Sequence, residues 1–157
     1  MAAKNDSGEK LIASNKKAFH DYFVVLKLEA GLALTGTEVK SLRAGRANLK
    51  DSYVTLKNGE AFLYAAHISP YSHGNFENHE PERPRKLLLH RKELEKLKKE
   101  TTEKGLTVVP LRLYFKGARV KAEIAVVRGK KQYDKRETEK KREADRETAA
   151  AIKTARG

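Results

Sequence analysis

The chain has 157 residues, 34 Lys and Arg against 21 Asp and Glu, a formal net charge of +13, no cysteine and no tryptophan. That is the length of one domain with tails, and its charge calls for a polyanionic partner, because each neutralised phosphate releases condensed counterions. Without cysteine there are no disulfides or thiolate metal sites. No run of about 18 apolar residues is present to span a membrane. Both features point to the cytoplasm.

The opening "MAAKNDSGEK" is polar and is expected to be disordered, leaving 1–10 outside the folded body. "FHDYFVVLKL", Phe19–Leu28, is aromatic and β-branched. Val24, Leu26 and Leu28 share one side and Phe23 and Val25 the other, predicting a strand buried on both faces. In "GLALTGTEVKSLRAGRA", Thr35 or Thr37 can cap a short helix over "EVKSLRA" that stops at Gly45. Two four-residue runs, Tyr53–Leu56 and Ala61–Tyr64, flank Asn58–Gly59, a pair that tolerates positive φ and predicts a tight hairpin.

Residues 69–85 hold three of the four prolines and read as a long loop. "KLLLHRKELEKLKKETTEKG" begins apolar and becomes helical, with Leu94 and Leu97 one turn apart and Gly105 as the stop. A second hairpin alternates through Leu111, Leu113 and Phe115, turns near Gly117, and returns through Val120, Ala122, Ile124 and Val126. Pro110 marks an edge or a bulge. About six strands in hairpins, two or three helices and no βαβ alternation predict a mainly β fold, a small closed antiparallel barrel spanning 11–127. Residues 128–157 form a basic tail.

His67, His73 and His79 lie six apart, with Glu77 between the last two and Glu80 next to His79, a spacing that matches no helical metal-ligand motif. A metal-dependent nuclease built on these histidines is the one enzymatic alternative. Gly31 and Gly36 imitate half a phosphate loop, but Thr37 and Glu38 stand where it needs Lys and Ser or Thr, and a carboxylate there repels phosphate. A tight turn entering a helix is the simpler reading. "KSLRAGRANLK", "ERPRKLLLHRK" and "FKGARVK" place basic residues beside apolar or aromatic ones, an arrangement that tracks an RNA backbone while bases stack. A basic ribosomal or translation-associated protein with an OB-like barrel also fits this composition.

Taken together, "IASNKKAFHDYFV", "LEAGLALTGTEVKSLRAGRANLKDSYV", "RKLLLHRKEL" and "GKKQYDKRETEKKRE" resemble the small protein B family, the transfer-messenger RNA (SsrA) binding proteins of bacterial trans-translation. The resemblance runs from about Leu11 to Lys153. It implies a closed barrel related to the OB-fold, with packed helices and an unstructured C-terminal tail. It also implies a non-enzymatic factor without cofactor or metal. That factor binds the tRNA-like domain of transfer-messenger RNA and delivers it to stalled ribosomes, acting as a monomer in the complex.

By the same resemblance, the RNA-binding residues are Asn15, His20, Glu29, Leu88, His90 and Lys121. Asn15 and His20 can hydrogen-bond base edges or 2′-hydroxyls, and Lys121 can meet phosphate or serve as a local counter-charge. Glu29 would accept from a base amine or hold a basic neighbour in place. Leu88 would cover a splayed base, with an ordinary core leucine as the alternative. His90 stands where many members carry Asn.

For the tail, the resemblance implies a place in the decoding centre and the empty mRNA channel. Gly129, Lys130, Lys131, Asp134, Lys135 and Arg136 match the family signature, Tyr133 would stack on a ribosomal RNA base, and Ile152 and Lys153 match an apolar-basic element. Helix potential is present, since Glu137 pairs with Lys141. Like-charge pairs such as Arg142 and Arg146 make such a helix marginal without a surface to fold against.

Overall fold

The computed structural model describes residues 9–71 and 78–130. It begins with strand β1 (Glu9–Ser14), helix α1 (Lys16–Asp21), strand β2 (Tyr22–Leu32) and helix α2 (Gly36–Arg43). The short β3 (Ala47–Asn48) precedes the hairpin β4 (Tyr53–Lys57) and β5 (Glu60–Tyr64), followed by β6 (His67–Ile68) and β7 (Arg85–Leu88). Helix α3 (Arg91–Lys98) runs into a π-helical turn, Lys99–Glu103, and a long hairpin, β8 (Thr107–Lys116) and β9 (Arg119–Gly129), completes the set.

All pairings are antiparallel, and they run round a ring of six strands in the order β8, β4, β5, β7, β2, β9 and back to β8. β1 adds a seventh strand along the far half of β8, from Glu9 opposite Lys116 to Ser14 opposite Arg112. β3 and β6 pair separately. The main core includes Leu32, Leu63, Leu87, Leu113, Ile124 and Val126, joined by Leu42 from α2 and Leu97 from α3.

Local chemistry explains the turns. Asn58 and Gly59 have φ of 53° and 76°, as a two-residue turn matched to strand twist requires. Thr35 caps α2 in a capping box: Thr35 Oγ1 accepts from the Glu38 N–H, while a Glu38 carboxylate oxygen accepts from the Thr35 N–H at 2.8 Å.

Three expectations are corrected. First, the strand predicted from Phe19 starts at Tyr22, because Asn15 caps a short helix and Ala18 packs on an outer patch of Val109, Leu111, Ala125 and Val127. Second, β2 is not buried on both faces at its start. Its register slips between Val24 and Leu26, and Phe23, Val24 and Val25 remain exposed. Third, Leu111 does not share a face with Leu113 and Phe115. The slip between Pro110 and Arg112 turns Leu111 outward under α1 and leaves the other two in the main core. The first strand also begins at Glu9, two residues before the expected start of the body, and β9 runs to Gly129, two residues past its expected end.

Candidate nucleic-acid interface

Gly31, near the end of β2, pairs with Leu88 of β7 on one side and Lys121 of β9 on the other. That junction opens a groove of about 990 Å³, and four of the six predicted RNA-binding residues of the body line it: Glu29, Leu88, His90 and Lys121. Its apolar lining comes from Leu34, Val39, Leu89 and Leu94, and its other cations are Lys86 and Arg119.

Leu88 is 52% exposed, so it is not a core leucine; it presents a bare apolar surface beside cations. Gly31 makes room for it, since a Cβ at that position would lie 3.2 Å from the Leu88 Cβ. His90 is exposed at the head of α3, where its backbone N–H donates to Glu93 Oε1 at 2.9 Å.

Glu29 is held from behind. The Tyr114 hydroxyl donates to its Oε2 at 2.5 Å, and Lys116 Nζ lies 3.3 Å from its Oε1. The Tyr114 hydrogen bond, with help from Lys116 and the Lys121 charge, keeps the carboxyl below the usual carboxylate range against partial burial. Burial and the Glu29 partner push the Tyr114 phenol up from its ordinary value. Of the two roles open to Glu29, the contacts support the holding of basic neighbours. Among the other cations, Lys86 is paired with Glu60 at 2.9 Å, whereas Arg119 and Lys121 have no ion pair within 4 Å among the described residues.

Asn15 and His20 lie away from this groove. Asn15 is 5% exposed and its amide is spent inside the protein: Oδ1 accepts from the Ala18 N–H at 3.2 Å, and Nδ2 donates to the Pro110 carbonyl at 2.9 Å. Its backbone N–H donates to the Leu111 carbonyl at 2.8 Å. Asn15 therefore caps α1 and fills the hydrogen bonds of the β8 bulge, and it does not offer an amide to a base edge. His20 is half-buried, with Nδ1 2.9 Å from Asp21 Oδ1. A smaller cleft of about 200 Å³ beside α1 is lined by Asn15, Lys17, Tyr22, Asp51 and Tyr53, and its rim carries a 2.7 Å Lys17–Asp51 pair.

Two of the predicted tail residues are placed. Gly129 pairs with Tyr22, and the Lys130 N–H donates to the Asp21 carbonyl at 2.9 Å. Arg128 and Lys130 lie over the Phe23 ring, 5.5 and 5.0 Å from its centroid. Lys131, Tyr133, Asp134, Lys135, Arg136, Ile152 and Lys153 lie outside the described residues, as does His73.

The two described histidines of the proposed metal set take separate partners. His79 is buried between the Ile68 carbonyl (2.8 Å) and Thr37 Oγ1 (2.9 Å), and His67 is 3.6 Å from Glu82. Among the described residues no group of three His, Cys, Asp or Glu side chains converges as a metal site would need.

Tyr114 was missed in the sequence. Its only signal is the β2–β9–β8 register, which sets Glu29 opposite Glu123 and Tyr114 opposite Lys121, two rungs apart. That register depends on two slips that alternation does not show.

The SmpB protein family model matches residues 12–154. The SsrA-binding protein of Geotalea uraniireducens is 61% identical over 145 residues, covering 92% of this chain and 96% of that protein. The SsrA-binding protein of Pelobacter propionicus is 58% identical over 147 residues, with 94% and 97% covered. A solved chain described under "tmRNA-SmpB: a journey to the center of the bacterial ribosome" matches with a TM-score of 0.65 and 45% identity, covering 76% of this chain and 85% of that one. This chain belongs to the SmpB family.

Proposed function

We propose that this protein is a non-enzymatic RNA-binding factor of trans-translation. It binds transfer-messenger RNA (SsrA) through the tRNA-like domain and brings it to stalled ribosomes. The groove carries the reading: an exposed leucine lies beside Arg119 and Lys121, which have no ion pair among the described residues, in a chain similar over more than nine-tenths of its length to an SsrA-binding protein. RNA recognition outside duplexes combines cover for unstacked bases with cationic contacts to phosphate, and the groove supplies both. The return of the strand pairings to β8 supports a closed OB-like barrel as the platform. The tail from Lys131 onward acts in the decoding centre and mRNA channel, where it becomes helical and Tyr133 stacks on ribosomal RNA.

The test compares binding of the purified protein to the tRNA-like domain and to an unrelated duplex RNA of equal length over a range of salt. The tRNA-like domain should bind more tightly at physiological salt, with log affinity falling linearly in log salt. Equal binding of the two RNAs would overturn the proposal.

A further inference from the structure

We propose that Tyr114, which does not itself line the groove, is a positioning residue for RNA binding: its hydroxyl holds Glu29, and Glu29 holds the Lys116 ammonium beside the groove, opposite Arg119. The inference rests on the RNA-binding reading of that groove and adds to it a residue and a role.

A carboxylate in a phosphate-binding groove repels the ligand unless its charge is already committed. Both oxygens of Glu29 are committed, Oε2 to Tyr114 and Oε1 to Lys116. Tyr114 is a rigid donor. It is 2% exposed, the Arg112 guanidinium lies 4.8 Å from its ring centroid, and Arg112 is itself fixed by Glu123 at 3.0 Å. A chain of contacts thus runs Glu123, Arg112, Tyr114, Glu29 and Lys116 across β9, β8 and β2, all in strands held by continuous pairing.

Lys121 lies opposite both Tyr114 and Gly31, and its charge is among those that favour ionised Glu29. Lys116, Arg119 and Lys121 crowd the end of one hairpin. Without an anion beside them these cations would repel one another. Glu29 is that anion, 3.3 Å from Lys116, and it keeps this partner only while Tyr114 fixes the carboxylate plane.

Tyr114→Phe tests this directly, because it keeps the buried ring and removes only the hydroxyl. The readouts are the dissociation constant for the tRNA-like domain at several salt concentrations and a thermal melt of each variant. Tyr114→Phe and Glu29→Gln should each weaken binding by about three- to tenfold, the scale of one hydrogen bond to a charged group. The double variant should be no weaker than the weaker single. In a Lys116→Gln background Tyr114→Phe should have almost no further effect, because the residue it positions is gone.

A ring that merely packs would leave both affinity and salt slope at wild-type values in Tyr114→Phe, and that result overturns the proposal. So do single losses that multiply in the double variant. Should Tyr114→Phe melt out, the Glu29→Gln and Lys116→Gln cycle on exposed side chains carries the same test, and independent losses there overturn it. Wild-type protein that shows no preference for the tRNA-like domain defeats the groove's RNA reading itself. Normal wild-type binding with an inert Tyr114→Phe defeats only the positioning role.

Discussion

Glu38 and Arg85 are both withdrawn from solvent, and their contacts tie α2 to the approach to β7. Arg85 Nε donates to Glu38 Oε2 at 2.6 Å, while its other nitrogens donate to the Ala66 carbonyl at 2.6 Å and the Pro81 carbonyl at 3.0 Å. Arg83 adds a second fork on the same carboxylate. Burial alone would raise the Glu38 carboxyl. The hydrogen bonds from Arg83, the Thr35 N–H and Arg85 outweigh it and hold the group below the usual range. Replacing Arg85 by Met leaves a buried carboxylate short of its fully buried partner and should destabilise the protein by about 3–5 kcal/mol in urea melts at neutral pH. A change under about 1 kcal/mol would show that the pair contributes little. The pH dependence has a fixed sign. Since the folded carboxyl is depressed, its stabilisation is complete above the unfolded value near 4.3–4.5 and is lost as pH falls through the lower folded value. The stability gap between wild type and Glu38→Gln should therefore be constant near neutrality and close only in acid.

At the scale of elements, α1 and the β8 bulge depend on one another through Asn15. The bulge frees the Pro110 and Leu111 carbonyls, and Asn15 satisfies both while capping the helix. Asn15→Ala should lower stability by about 1–3 kcal/mol, the sum of a lost cap and a lost buried hydrogen bond. Its loss in groove affinity should be smaller than the loss seen for Lys121→Gln. Melts and RNA titrations on the same samples check this, and a stable Asn15→Ala that binds RNA poorly would return Asn15 to the RNA contacts.

The same region shows what a sequence reader can and cannot see. Asn58–Gly59, Thr35 as one of two cap candidates, and Gly117 are local signals, and each stands where its backbone chemistry requires. Val25 and Leu111 were misplaced because their environment is set by slips in pairing with distant strands, and Phe19 because Asn15 caps a helix there. The convergence of Glu29, Leu88, His90 and Lys121 was implied by family resemblance. What brings them together is Gly31 pairing on both edges, and no periodicity reports that.

For the whole molecule, the net charge of +13 is shared between a body that presents cations at a shaped groove and a shorter basic C-terminal segment. Residues 131–157 carry nine Lys and Arg against six Asp and Glu, so most of the net charge that attracts RNA lies in the body. The body needs its last strand complete. Tyr22 pairs with Gly129, Phe23 with Arg128, and Lys130 bonds back to Asp21 at 2.9 Å. A cut before Arg128 would strip these contacts and weaken the seat of α1, confusing instability with loss of function. A chain ending at Lys130 keeps them all. It should melt like the full-length protein and bind the tRNA-like domain within about tenfold of it, ~1.4 kcal/mol, while failing to support peptide tagging on stalled ribosomes. A larger loss of RNA affinity would mean that 131–157 belong to the RNA-binding surface. Retained tagging would remove the tail from the ribosomal step.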